Sequence, residues 1–221
     1  MNLTYDIARS HFLDWVKTDS LRKHGFAVEK TMRAAAQRYA GGGVDEEKFA
    51  ITGLLHDGDY ECWPAEHPTI MVNWLKERGA DDIAQAVACH YSRWGQEAIT
   101  TMDKCLLACD EPTGFVMACS LVRPEGIATL EAKSVLKKLK DKSFAAKVDR
   151  DEVVLGAALL GVSLADHFSM LIEALRPFAS ELGIAPRVAV GQVNPPTEDA
   201  GSGARRCCGC NADTCPYKSS R

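Results

Sequence analysis

The chain of 221 residues lacks any apolar run long enough to cross a bilayer, since its longest nearly apolar stretch, residues 153–165, is 13 residues and a spanning helix needs about 20. Membrane insertion is therefore not expected. The opening also lacks the apolar segment of a secretory signal and carries Asp6 and Arg9 in its place, so the expected address is the cytoplasm. Excess positive charge is absent: 26 Lys and Arg against 30 Asp and Glu leave a net charge of -4. That balance argues against an overall electrostatic grip on extended nucleic acid, although a local basic patch stays possible. Strict apolar and polar alternation is missing too, so no strand is predicted. Histidine is scarce, with six in the whole chain.

Cysteine, by contrast, is plentiful, with nine residues. Cys62, Cys89, Cys105, Cys109 and Cys119 are scattered through apolar or helical sequence, where a reduced thiol behaves as a small core residue. Cys207, Cys208, Cys210 and Cys215 instead crowd into nine residues near the C-terminus. Their spacing departs from paired CxxC knuckles, so the favoured reading is a redox-sensitive tail, with zinc or cluster binding as the alternative.

With 46% hydrophobic and 25% charged residues, the composition is that of a globular protein, and the length suits one domain plus a tail. The periodicity reads as helix after helix. Thr4 caps a first helix carrying Ile7, Phe12, Leu13 and Val16, and Thr18-Asp19-Ser20 opens a second that runs to Tyr39. Gly41-Gly42-Gly43 stops it. Asp45 starts a third that ends near His56-Asp57-Gly58, and further helices are predicted over 67–78, 81–90, 101–121, 130–140 and 163–182, the last capped by Ser163 with Asp166. Residues 192–206 hold two prolines, two glycines and no periodicity, which predicts a linker. The expected organisation is an all-α domain over residues 1–185 and a flexible tail over 186–221.

Four histidines have carboxylates in company: His24, the adjacent pair His56-Asp57, His67 and His90, with Asp110 further along. Imidazole and carboxylate together suit divalent ions such as zinc, iron, manganese, cobalt or nickel. The pair His56-Asp57 follows the apolar run Ile51-Thr52-Gly53-Leu54-Leu55, so two ionisable groups sit at the end of a buried helix, where a partner is needed. Asp110 repeats that pattern behind Cys105-Leu106-Leu107-Ala108-Cys109. A salt bridge to Arg or Lys is an equal alternative for Asp110, and each histidine taken alone suits a hydrogen-bonded core or surface role. His11 and His167 have no partner pattern, and Trp15, Trp63, Trp74 and Trp94 read as core or pocket lining. If the helices flanking Gly79 run antiparallel, His67 at the start of one and His90 at the end of the next reach the same end of the pair.

In order, His24, His56-Asp57 and Asp110 resemble the signature of the HD superfamily of metal-dependent phosphohydrolases. Leu21-Arg22-Lys23-His24-Gly25-Phe26-Ala27-Val28-Glu29, Asp59-Tyr60-Glu61, Glu66-His67-Pro68 and Asp110-Glu111-Pro112-Thr113-Gly114 are similar to segments of one uncharacterised branch, and the likeness covers roughly residues 10–180. The resemblance implies an HD-domain helical bundle with one metal held by His24, His56, Asp57 and Asp110, and a second held by His67 and His90 with Asp57 bridging. It implies one or two divalent ions (Mn, Fe, Ni, Co or Zn), hydrolysis of a small phosphorylated metabolite or nucleotide, and Asp57 as the residue that orients water. Lys133 and Arg123, in the basic segment of residues 123–142, are expected to serve the remaining substrate oxygens. Two other readings stand beside it: an HD-fold diiron oxygenase acting on a small organic substrate, and a non-enzymatic, metal-stabilised binding domain.

Overall fold

A computed structural model describes residues 3–91 and 94–187. Among these residues there are nine α-helices and no strand. The linker and the cysteine-rich tail expected beyond residue 187 lie outside the described residues.

Helix α1 (Tyr5–Trp15) starts where the Thr4 hydroxyl accepts the Ile7 N–H, and it buries Ala8 and Phe12. Next, α2 (Asp19–Tyr39) and α3 (Glu46–Leu55) pack closely against each other. A Cβ on Gly53 would lie 2.7 Å from the Val28 carbonyl oxygen, so only glycine admits this approach. Short α4 (Thr69–Lys76) and α5 (Asp81–His90) follow; Gly79 turns between them with φ +68°. They pack against each other as the predicted antiparallel pair requires.

Helix α6 (Thr101–Leu121) opens on a reciprocal cap, the Thr100 hydroxyl accepting from Asp103 N and the Asp103 carboxylate accepting from Thr100 N. It is the central strut, packed against α2, α5, α8 and α9. Helices α7 (Ala132–Leu139), α8 (Arg150–Leu159) and α9 (Leu164–Leu175) complete the domain. Phe12, Met32, Leu54, Leu55, Phe115, Phe168 and Leu171 are fully enclosed in one shared core. No single helix among the described residues is long and apolar enough to cross a membrane.

The predicted helices are present, with corrections at their ends. α4 starts at Thr69, not at His67, because a residue directly before a proline is disfavoured in the helical conformation. α9 stops at Leu175, and a single tight turn over Arg176–Phe178 follows it instead of helix to 182; Pro177 is the local cause. α8 was not expected. Its N-cap is Asp149, whose carboxylate accepts from Asp151 N and Glu152 N, and its apolar residues lack a clear 3.6-residue stripe because Val154 and Leu155 are half exposed.

Candidate metal centre

Five helical segments deliver six side chains to one place. His24 projects from the first half of α2. His56 caps α3 and Asp57 follows in the turn. His67 precedes α4, His90 is the last residue of α5, and Asp110 sits in the middle of α6.

The geometry falls into two groups sharing Asp57. In the first, His24 Nε2 lies 3.0 Å from Asp110 Oδ1 and 3.2 Å from His56 Nε2, and His56 Nε2 lies 3.2 Å from Asp110 Oδ1 and 3.4 Å from Asp57 Oδ2. His24 Nε2 is 3.9 Å from Asp57 Oδ2. In the second, His67 Nε2 and His90 Nε2 each lie 3.4 Å from the other oxygen, Asp57 Oδ1. Donors about 2.0–2.2 Å from a common ion sit about 2.8 to 3.6 Å from one another in octahedral or tetrahedral sets. All these separations except 3.9 Å fall within that range, so the residues fit a metal.

The outer nitrogens explain why the inner ones converge. His56 Nδ1 bonds the Gly53 carbonyl at 2.8 Å, His90 Nδ1 the Val87 carbonyl at 2.5 Å, and His67 Nδ1 the Asp59 carboxylate at 2.6 Å. Each partner only accepts, so each Nδ1 carries the hydrogen, and in the neutral ring Nε2 presents a lone pair. Lone pairs of three such rings thus face carboxylate oxygens within 3.4 Å, an arrangement that repels itself until a cation sits among the atoms. A proton on His56 can play the part of that cation. Burial disfavours charge on His56, yet the adjacent Asp57 and Asp110 carboxylates outweigh it and hold the imidazole well above its usual range. Burial likewise opposes ionisation of Asp57, and His56 and His90 overcome it and keep the carboxyl well below the carboxylate range. Asp110 is held down in the same way by His56 and His24.

A cleft of about 780 Å³ opens onto these ligands, with His24, Asp57, His67, His90 and Asp110 on its floor and Tyr60 and Tyr91 on its wall. Its lining includes five carboxylates, of Asp57, Asp110, Glu111, Asp149 and Glu152, and a single cation, Lys147. Glu111 is partly buried beside Asp110, and that burial, reinforced by the Asp110 charge, pushes its carboxyl up to about 7 against the hydrogen bond it accepts from Asp149 N.

All six predicted ligands come together. The predicted cations do not join them: Arg123 donates to the Thr129 hydroxyl at 2.9 Å, Lys133 pairs with Glu131 at 2.5 Å, and neither lines the cleft. The cation that lines the cleft is Lys147, which sequence reasoning missed. Lys23, next to His24, pairs with Asp19 at 2.6 Å. Asp59 was also missed as a functional group; it is fully buried, and besides His67 it holds Met71 N at 2.8 Å. Its spacing of two from Asp57 was the available signal.

His167 does more than pack. Pro112 inside α6 has no N–H for the Ala108 carbonyl four residues back. His167 from α9 fills the gap, bonding that oxygen at 2.6 Å through Nε2, while its Nδ1 meets Tyr39 Oη at 3.2 Å. Asp110 lies between the freed carbonyl and the proline. His11 is simple by comparison, stacked on Trp74 with ring centroids 3.8 Å apart. Of Tyr60 and Trp63, Tyr60 lines the cleft while Trp63 packs edge-on against Trp15.

No protein-family model, curated protein or solved structure matches this chain. The site therefore rests on its own geometry.

Proposed function

We propose that the chain is a metal-dependent phosphohydrolase of the HD type, acting on a small phosphorylated substrate through a dinuclear His/Asp centre. The observation that carries the reading is the division of Asp57: one carboxylate oxygen faces His24 and His56 and the other faces His67 and His90. A carboxylate placed so would hold one ion with each of its oxygens. Divalent ions bound there would bring the pKa of a coordinated water from 15.7 to about 7 and polarise a phosphoryl oxygen.

This chain's own groups supply the rest. Asp57 and Asp110 balance charge and fix the floor; Asp59, Gly53 and Val87 hold the imidazoles in one tautomer. Lys147 is the cation placed for substrate oxygens. The five carboxylates of the cleft repel a phosphate unless bound cations reverse the local charge, which ties substrate binding to metal loading. The five described cysteines outside the tail are free thiols, in keeping with a cytoplasmic home.

The second half of the centre also keeps the diiron oxygenase reading in view, because that chemistry needs the same four imidazoles and two carboxylates. Elemental analysis of anaerobically purified protein, then phosphate release from nucleotides and sugar phosphates under supplied manganese, nickel, cobalt or iron, separates the two. Phosphate release with one or two ions per chain is expected. Oxygen consumption by iron-loaded protein without hydrolysis under any metal replaces the proposal with the oxygenase, and unchanged metal content in His56→Ala and Asp57→Ala removes both.

A further inference from the structure

A second hollow, of about 920 Å³, lies between α7, the 140–149 loop, α8 and the start of α9. It adjoins the metal cleft, because Lys147, Val148 and Asp149 line both. Its character is the reverse of the cleft's. Leu139, Val154 and Leu164 give it apolar walls, and Lys140, Lys142 and Lys147 ring it with charge. None of those three lysines makes an ion pair among the described residues. The fourth cation, Arg150, is spent on structure: it donates to the backbone carbonyls of Ala145, Val148, Asp141 and Phe144 and so braces the loop. Of the facing carboxylates, Asp149 is engaged by the first N–H groups of α8, and Asp151 stands beside it.

The lining is equally telling for what it omits. It contains no aromatic ring, amide or hydroxyl side chain, so it offers no platform for a nucleobase to stack on and no uncharged side-chain partners for the hydroxyls of a sugar. Aliphatic walls with unpaired ammonium groups fit an aliphatic anion.

We propose that this groove holds the organic part of the substrate, and that the substrate is an alkyl phosphomonoester. The inference rests on the phosphohydrolase reading. The phosphate would lie at the metal cleft beside Lys147, with the chain running along Val154 and Leu164. Water oxygen forms the new bond to phosphorus, the P–O bond to the alkyl oxygen breaks, and a proton from that water ends on the leaving oxygen, giving an alcohol and inorganic phosphate.

The test uses the full chain loaded with manganese and ethyl, hexyl and decyl phosphate as free monomers, with hydrolysis followed on the phosphates and binding followed calorimetrically with the matching, non-hydrolysable alkyl phosphonates. Affinity is expected to rise about fourfold for each methylene that is buried. Val154→Asp, at a half-exposed position where folding is not at stake, removes that gain; Val122→Asp, exposed and outside the groove, keeps it. Equal affinity across the series overturns the groove proposal, and ethyl phosphate hydrolysis in that case leaves the phosphohydrolase reading intact. Chain-length-dependent binding with no hydrolysis under any metal keeps the groove as an alkyl-anion site and overturns the reaction assigned to it. Sedimentation with phosphatidylcholine vesicles containing phosphatidic acid, in the absence of any affinity for monomeric decyl phosphonate, overturns the proposal in favour of a membrane surface.

Discussion

Replacing Gly53 by alanine probes the contact on which the first half of the centre depends. The added Cβ would stand 2.7 Å from the Val28 carbonyl oxygen, about 0.7 Å inside the 3.4 Å at which ordinary contact begins. Backbone cannot swing aside as a long side chain does, so α3 must move away from α2 by a comparable distance. His24 rides on α2 and His56 on the end of α3, with His56 Nδ1 bonded to the Gly53 carbonyl itself. Metal sites tolerate about 0.2 Å of ligand displacement, so the first ion should lose affinity on the order of tenfold. Overpacking costs about 1–3 kcal/mol, of which the helix preference of alanine over glycine returns about 0.5–1. The net loss of about 1–2 kcal/mol corresponds to a fall in Tm of about 2–8 °C in a domain of this size. Gly114→Ala is the comparison, because its Cβ would meet His24 Cε1 at an ordinary 3.9 Å and should gain about 0.5–1 kcal/mol. Thermal unfolding by circular dichroism and calorimetric metal titration read both quantities. Should Gly53→Ala match Gly114→Ala in stability and keep wild-type affinity, the close crossing is not what positions His56.

Metal itself should stabilise the fold: at one hundred times its dissociation constant, a divalent ion adds about 2.7 kcal/mol to chelator-stripped protein, and a Tm unmoved by manganese, iron and zinc alike would falsify the centre. Asp59→Asn withdraws the negative charge behind His67 and should weaken only the second ion, by about 10- to 100-fold; equal weakening of both ions in titrations would contradict the division at Asp57. His11 supplies a pH test away from the metal. Burial, then the nearby Arg78 charge, lower its pKa from 6.5 to about 4 against the pull of Asp14. The unfolded chain therefore binds the extra proton between these values, and the contribution to stability is whole above pH 6.5 and lost as pH falls toward 4. Screening of the partly exposed ring leaves that contribution on the order of 1–2 kcal/mol. His11→Gln should flatten this part of the stability profile, and an unaltered slope would show that the ring titrates freely.

The helical class was legible because caps at Thr4, Asp45 and Ser163 and the glycines at 41–43 and 79 act within a few residues of themselves. The ligand set was legible for a related reason: ionisable residues at the ends of apolar helices, His56-Asp57 and Asp110, announce a need for partners. What stayed hidden depends on distant placement. Whether Lys133 or Lys147 reaches the cleft is decided by how the 140–149 loop folds back under Arg150, which pairs with backbone carbonyls that have no sequence signature. α8 escaped because its buried face, Val153, Gly156 and Ala157, is small and is masked in the sequence by the exposed apolar residues Val154 and Leu155, while the close approach at Gly156, whose Cβ would lie 2.5 Å from Ala108 Cα, leaves no signature. His167 looked unremarkable because its partner is a carbonyl liberated by a proline 55 positions away.

That liberated carbonyl makes α9 part of the support of the turn that carries Asp110. An ordinary helical turn around Asp110 would close its own hydrogen-bond ladder and hold its shape whether or not α9 were docked. With Pro112 in place the turn is incomplete alone, and it is completed only when His167 arrives. For an ion bound at Asp110, docking of α9 and loading of that ion would assist each other, and by thermodynamic reciprocity each would strengthen the other equally. The stripped protein should accordingly release α9 first, exchanging its amide hydrogens ahead of those of α2 and α3, and the loaded protein should hold all three to the same final unfolding. Proline, usually read as an interruption, here converts a self-sufficient helix into one that senses its neighbour.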